Sequence, residues 1–132
     1  MAGRTYTVEL PWIPSAEVRG NSRAYWRKKH TKSQELKASG KDHMNLDELR
    51  GVHLSRVRIT FHFTHNRSID LDNLAIGMKY WVDGLIYAGL VEDDSPEYLT
   101  YGSHTFTKAK GESQTLVEIV ETDLPTPEIA RR

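Results

Sequence analysis

The chain has 132 residues, no cysteine, and 18 Lys+Arg against 18 Asp+Glu. That length suits one domain burying about two-thirds of its open-chain surface, and the absence of cysteine excludes disulfides, thiolate metal sites and a cysteine nucleophile. The formal net charge of zero would argue against a nucleic-acid partner only if the charges were evenly mixed, and they are not.

Thr5 to Leu10 alternates and predicts a strand, which stops at Pro11-Trp12-Ile13-Pro14, where two prolines forbid a central ladder. The opening MAGRTYTVEL lacks the apolar core of a signal peptide, and no stretch approaches the roughly 18 apolar residues of a spanning helix, so a cytoplasmic protein without a membrane partner is expected.

A basic segment follows. Residues 19–41 hold Arg19, Arg23, Arg27, Lys28, Lys29, Lys32, Lys37 and Lys41 against Glu35 alone, a charge of +7, while residues 1–18 carry −1 and residues 42–132 carry −6. With Tyr25 and Trp26 inside it, this segment has the makeup of a nucleic-acid surface, cations for phosphate and aromatic faces for bases. A solvated loop and helix face is the alternative reading.

From about Thr31 a helix is expected, with Thr31 as N-cap and Gln34 completing a capping box. Gly40 weakens its middle, and its apolar stripe of Leu36, Met44 and Leu49 is thin. Ser55 to Thr64 reads as a strand with Val57, Ile59, Phe61 and Phe63 on the core face and Arg56, Arg58, Thr60 and His62 on the other. Residues 73–89 give the strongest helix, through Leu74, Met78, Trp81, Val82, Leu85 and Ile86, and Gly89 stands where a C′ glycine would end it. Strands over about 97–107 and 114–121 flank the polar turn 108–113 and predict a hairpin. The expected architecture is a single small α+β domain over residues 1–123, one mixed sheet with two main helices, followed by a flexible tail at 124–132.

Asp70-Leu71-Asp72-Asn73 lies where the loop after the central strand enters the strong helix, and Glu92-Asp93-Asp94 follows the same helix. In an extended stretch Asp70 and Asp72 would point to one side, and oxygen ligands from two segments suit a hard cation, Mg²⁺ or Mn²⁺. The alternatives are an Asp N-cap and an ordinary acidic turn. An EF-hand is rejected, because Leu74 and Ala75 occupy the next ligand position and the required glycine. Lys79, seven residues beyond Asp72, returns to nearly the same helix face and could meet a phosphate, or it could simply pair with Asp83. His62 and His65 tend to opposite faces of their strand and lack a third partner, which argues against zinc.

Asp70-Leu71-Asp72-Asn73-Leu74, Lys79, Asp83-Gly84-Leu85, Ala88-Gly89-Leu90 and Asp93-Asp94 together resemble the RusA family of Holliday junction resolvases, as does the first strand with its Pro-rich turn and basic sequel. The resemblance runs from about residue 5 to 121 and implies a RusA-like fold and a Mg²⁺-dependent endonuclease cutting four-way DNA junctions as a homodimer. It implies that Asp70, Asp72 and Asp94 are the catalytic, metal-holding acids, with Asp93 beside them and Lys79 as the functional lysine. Two departures stand out: three extra residues precede Lys79, shifting it about 4.5 Å along a helix, and Ala16 replaces a common asparagine.

In that reading the reaction is metal-assisted phosphodiester hydrolysis. Lys79 and Arg67 would position the scissile phosphate, and Arg19, Arg23, Arg27, Lys28, Lys29 and Lys32 would hold the junction arms. The open alternatives are an inactive branched-DNA-binding protein and a flap or branch nuclease.

Overall fold

In the computed structural model, residues 3–23, 25–46 and 49–122 are described. The chain is a small single-domain α+β protein with two long helices and one mixed five-stranded sheet. The central strand β2 (Val57–His65) carries the longest alternating run, and its neighbours build outward from it. On one side β5 (Gln114–Glu121) pairs antiparallel with β2, and β1 (Thr5–Leu10) pairs antiparallel with β5. On the other, β3 (Leu99–Tyr101) and β4 (Thr105–Lys108) both run parallel to β2, one beyond the other.

Val57, Ile59, Phe61 and Phe63 are buried, as the alternation requires, together with Val8, Leu10, Val117 and Ile119 in register beside them. Helix α2 (Leu71–Tyr87) seals this face with Leu74, Met78, Trp81, Val82 and Leu85. Its start is fixed by Asp70, whose carboxylate accepts from the Asp72 and Asn73 N–H groups, so two of the first orphan donors of the helix are satisfied. Its end is fixed by Gly89 at φ +106°, with the Gly89 N–H donating to Ile86 and the Leu90 N–H to Leu85.

Helix α1 (Trp26–Leu46) starts five residues earlier than its sequence predicts, so Thr31 is an interior residue and not the N-cap. The Arg-Lys-Lys run before Thr31 contains good helix formers, and the Lys29 N–H already bonds to the Tyr25 carbonyl. Gly40 does not merely weaken α1. A Cβ there would meet the Trp81 carbonyl at 2.1 Å, and one on Gly84 would meet the Lys37 carbonyl at 2.1 Å, so the two helices cross in backbone contact at this pair.

The expected hairpin does not form. β4 and β5 lie on opposite sides of β2, and residues 109–113 cross its end, with the Ala109 N–H bonded to the His65 carbonyl. β2 has two open edges and takes one strand on each, which a turn between consecutive strands cannot reveal. The expected tail at 124–132 lies outside the described residues. Among the described residues no helix is long and apolar enough to cross a membrane.

Candidate functional site

Three parts of the chain meet around α2. The loop after β1 packs along its first turns, where the Gly20 N–H donates to the Asn73 carbonyl at 3.1 Å and a Cβ on Gly77 would press on Pro14 at 2.8 Å. The β3–β4 edge flanks it on the other side, at the cavity described below. Between them α2 presents Asp72, Ile76, Lys79 and Asp83, a stripe at spacings of four, three and four, all exposed.

Asp72, Ile76 and Lys79 line a cavity of about 440 Å³ with Phe61, Tyr101 and His104. Lys79 Nζ stands 5.9 Å from the Tyr101 ring centre. On the α1 side a groove of about 510 Å³ is lined by Trp26, Lys29, His30, Lys37, Tyr80 and Asp83. The stripe is thus a ridge between an aromatic cavity and a basic groove.

The charges of the acids named from the sequence are felt around the cavity: Asp72 acts on His104, Asp94 acts on Asp83, and Asp83 and Asp94 both act on Tyr101, which lines the same cavity as Asp72. Asp83 lies about 16 Å along the α2 axis from Asp72. Burial and then the Asp94 charge raise the Asp83 carboxyl above its ordinary range. Burial, with Asp83 and Asp94 adding to it, pushes the Tyr101 hydroxyl up to about 12. Asp70 spends Oδ1 on the helix cap. Asp93 Oδ1 accepts from the Ser95 N–H at 2.7 Å, which lowers the Asp93 pKa and commits that side chain to a turn.

Among the described residues no three His, Asp or Glu side chains gather closely enough to form a metal-binding group by themselves. A magnesium ion does not require one, since it is commonly held through one or two carboxylates and completes its shell with water and substrate phosphate. Asp72, with Asp70 two residues before it, fits that mode.

The basic segment is only partly free to bind. Arg19 Nε donates to the Pro14 carbonyl at 2.9 Å, Lys32 pairs with Glu35 at 3.4 Å, and Lys37 and Lys41 lie over the Tyr87 ring at 5.1 and 4.0 Å. Arg23, Arg27 and Lys28 are exposed and Lys29 half-exposed, beside Tyr25 and Trp26, which are 59% and 63% exposed. Arg67 is exposed on the loop into α2.

No family model matches the chain, and no curated protein matches it.

Tyr101 and His104 are the cavity residues that the sequence does not single out. Their signal is Gly102, a glycine inside a strand pattern, which marks a break or close approach. A Cβ there would meet Thr60 Oγ1 at 2.2 Å, and β3 stops just before it.

Proposed function

We propose that this protein is a Mg²⁺-dependent endodeoxyribonuclease that cuts four-way DNA junctions. The observation carrying the proposal is that Asp72 and Lys79, an acid and a cation named from the sequence, share one cavity, across the α2 ridge from a groove that Trp26 and Lys29 of α1 line. The resemblance of Asp70 to Asp94 to the RusA pattern supplies the substrate class.

In this reading Asp72 and Asp70 would hold the ion, which supplies a Lewis acid and an activated water for phosphodiester hydrolysis. Lys79 neutralises the scissile phosphate, and its place on a helix fixes it relative to Asp72. Arg23, Arg27, Lys28 and Lys29 hold the DNA arm that leads to the cavity. A junction has two-fold symmetry, and a homodimer would place two cavities at equivalent strands.

The exposed basic and aromatic start of α1 equally suits a second reading, a branched-DNA-binding protein without cleavage. One experiment separates them: a synthetic four-way junction, labelled on each strand in turn, incubated with Mg²⁺ with and without chelator. Paired symmetric nicks that vanish with chelator are expected, and Asp72→Asn should lower the rate at least about 100-fold while junction binding remains. Binding without any cutting would select the second reading, and cutting that survives chelation would reject the metal mechanism.

A further inference from the structure

His104 lies in the break between β3 and β4, at the point where the ladder beside β2 loses its backbone acceptor. The Gly102 N–H still bonds to the Ile59 carbonyl, but the Phe61 N–H donates instead to His104 Nδ1 at 2.9 Å. A side-chain nitrogen thus does the work of a strand carbonyl. An imidazole that accepts at Nδ1 carries its proton on Nε2 in the neutral form, so this bond selects the tautomer. Burial, and then the His62 charge, hold the ring below the ordinary imidazole range, partly offset by Asp72.

The ring has little freedom. It stacks on Phe61 with centroids 4.7 Å apart and planes at 23°, and Tyr101 meets it edge-on at 5.9 Å. It lines the cavity together with Asp72 and Lys79. Nδ1 is occupied and Nε2 is protonated, so the side chain offers no lone pair for a metal ion or for a general base. What remains is one directional N–H.

We propose that His104 presents this Nε2–H as a fixed hydrogen-bond donor to a non-bridging oxygen of a phosphodiester bound in the cavity beside Lys79. The proposal rests on the nuclease reading for its substrate class. Lys79 supplies charge without fixed direction, and His104 supplies direction without charge. A donor held in place before substrate arrives need not reorganise as negative charge builds on the phosphoryl oxygens, which is where such groups contribute most.

His104→Asn tests it, because the Asn Oδ1 can take the place of Nδ1 and accept from Phe61, while nothing replaces the Nε2–H. The variant should keep the thermal midpoint of the parent and lose about 100-fold in kcat on the junction, as when one oxyanion donor is removed. A folded variant cutting at the parent rate would overturn the proposal and leave the nuclease reading intact. The second readout does not use cleavage: the Nε2–H proton of His104, assigned by its loss in His104→Asn, is followed by NMR as the parent protein is titrated with the junction in Ca²⁺ and with a dinucleoside monophosphate. A downfield shift on binding is expected. An unmoved resonance at saturation overturns the donor role. A parent protein that cuts nothing in Mg²⁺ but shows the shift retires the nuclease reading alone.

Discussion

Asp70 and Asp72 stand two residues apart and do different things, because a helix begins between them. Read as extended chain, the pair would point one way. In the fold Asp70 is the N-cap and Asp72 is already in the first turn, so Asp70 gives Oδ1 to the backbone while Asp72 lines the cavity. Asp70→Ala should therefore cost about 1 kcal/mol of stability through the lost cap, measured as a lower urea midpoint at unchanged slope, and Asp70→Ser should recover most of it. Asp72→Ala, at an exposed position without a capping role, should stay within about 0.5 kcal/mol of the parent. The acids and Lys79 were legible because their types and spacing carry chemistry. His104 was not, since its importance comes from a carbonyl missing from the neighbouring strand, and Gly102 marks only the break there, not the side chain that takes the carbonyl's place.

At the level of elements, the helices illustrate what periodicity can and cannot reveal. α2 was readable nearly to its ends, since its apolar stripe, its Asp cap and Gly89 all agree. α1 was harder, because the residues it buries are Ser33, Gly40 and Met44, of which only Met44 reads as apolar core. Its contact with α2 is made by the absence of side chains at Gly40 and Gly84. Gly84→Ala should then cost about 3 kcal/mol or more, despite the better helix propensity of alanine, because its Cβ would collide with backbone that cannot step aside. An unchanged denaturation midpoint in that variant would show that the helices do not cross there. The sheet has its own clamp, where Arg4 Nε and Nη2 donate to the two Glu121 carboxylate oxygens at 3.0 and 2.8 Å and tie the start of β1 to the end of β5. That bond lowers the Glu121 pKa from its ordinary 4.5. A depressed folded value means that the unfolded chain binds the proton more readily, so the contribution is complete above about pH 4.5 and is lost as pH falls through the folded value. Glu121→Gln should accordingly lie slightly below the parent at pH 6 and show a shallower acid limb, the two thermal midpoints converging as pH falls to 3, with the difference kept small because an exposed pair is heavily screened.

For the whole molecule, a net charge of zero conceals a division that the fold turns into geometry. The +7 segment does not act as eight equivalent cations, since Arg19 bonds to Pro14, Lys32 pairs with Glu35, and Lys37 and Lys41 lie against Tyr87. Arg23, Arg27, Lys28 and Lys29 stand at the start of α1 with two exposed aromatic rings, Arg27 over the Trp26 ring within that same exposed patch, and Lys29 lines the groove that Asp83 of α2 faces. Four phosphate contacts release counterions with a log–log slope against salt of about −3.6 for duplex arms. Junction affinity measured from about 50 to 200 mM salt, with Ca²⁺ present to occupy the acidic site without cutting, should give that slope. Replacing Lys28 and Lys29 by Ala should flatten it by about 1.8, whereas replacing Lys37 and Lys41 should leave it nearly unchanged. Equal flattening by both pairs would mean that the segment binds through diffuse charge, and that the packing of Lys37 and Lys41 against Tyr87 does not select which cations reach DNA. A slope near zero would remove the proposed DNA-binding role of α1 altogether, and with it the reason for an aromatic cavity and a basic groove to share the two sides of one helix.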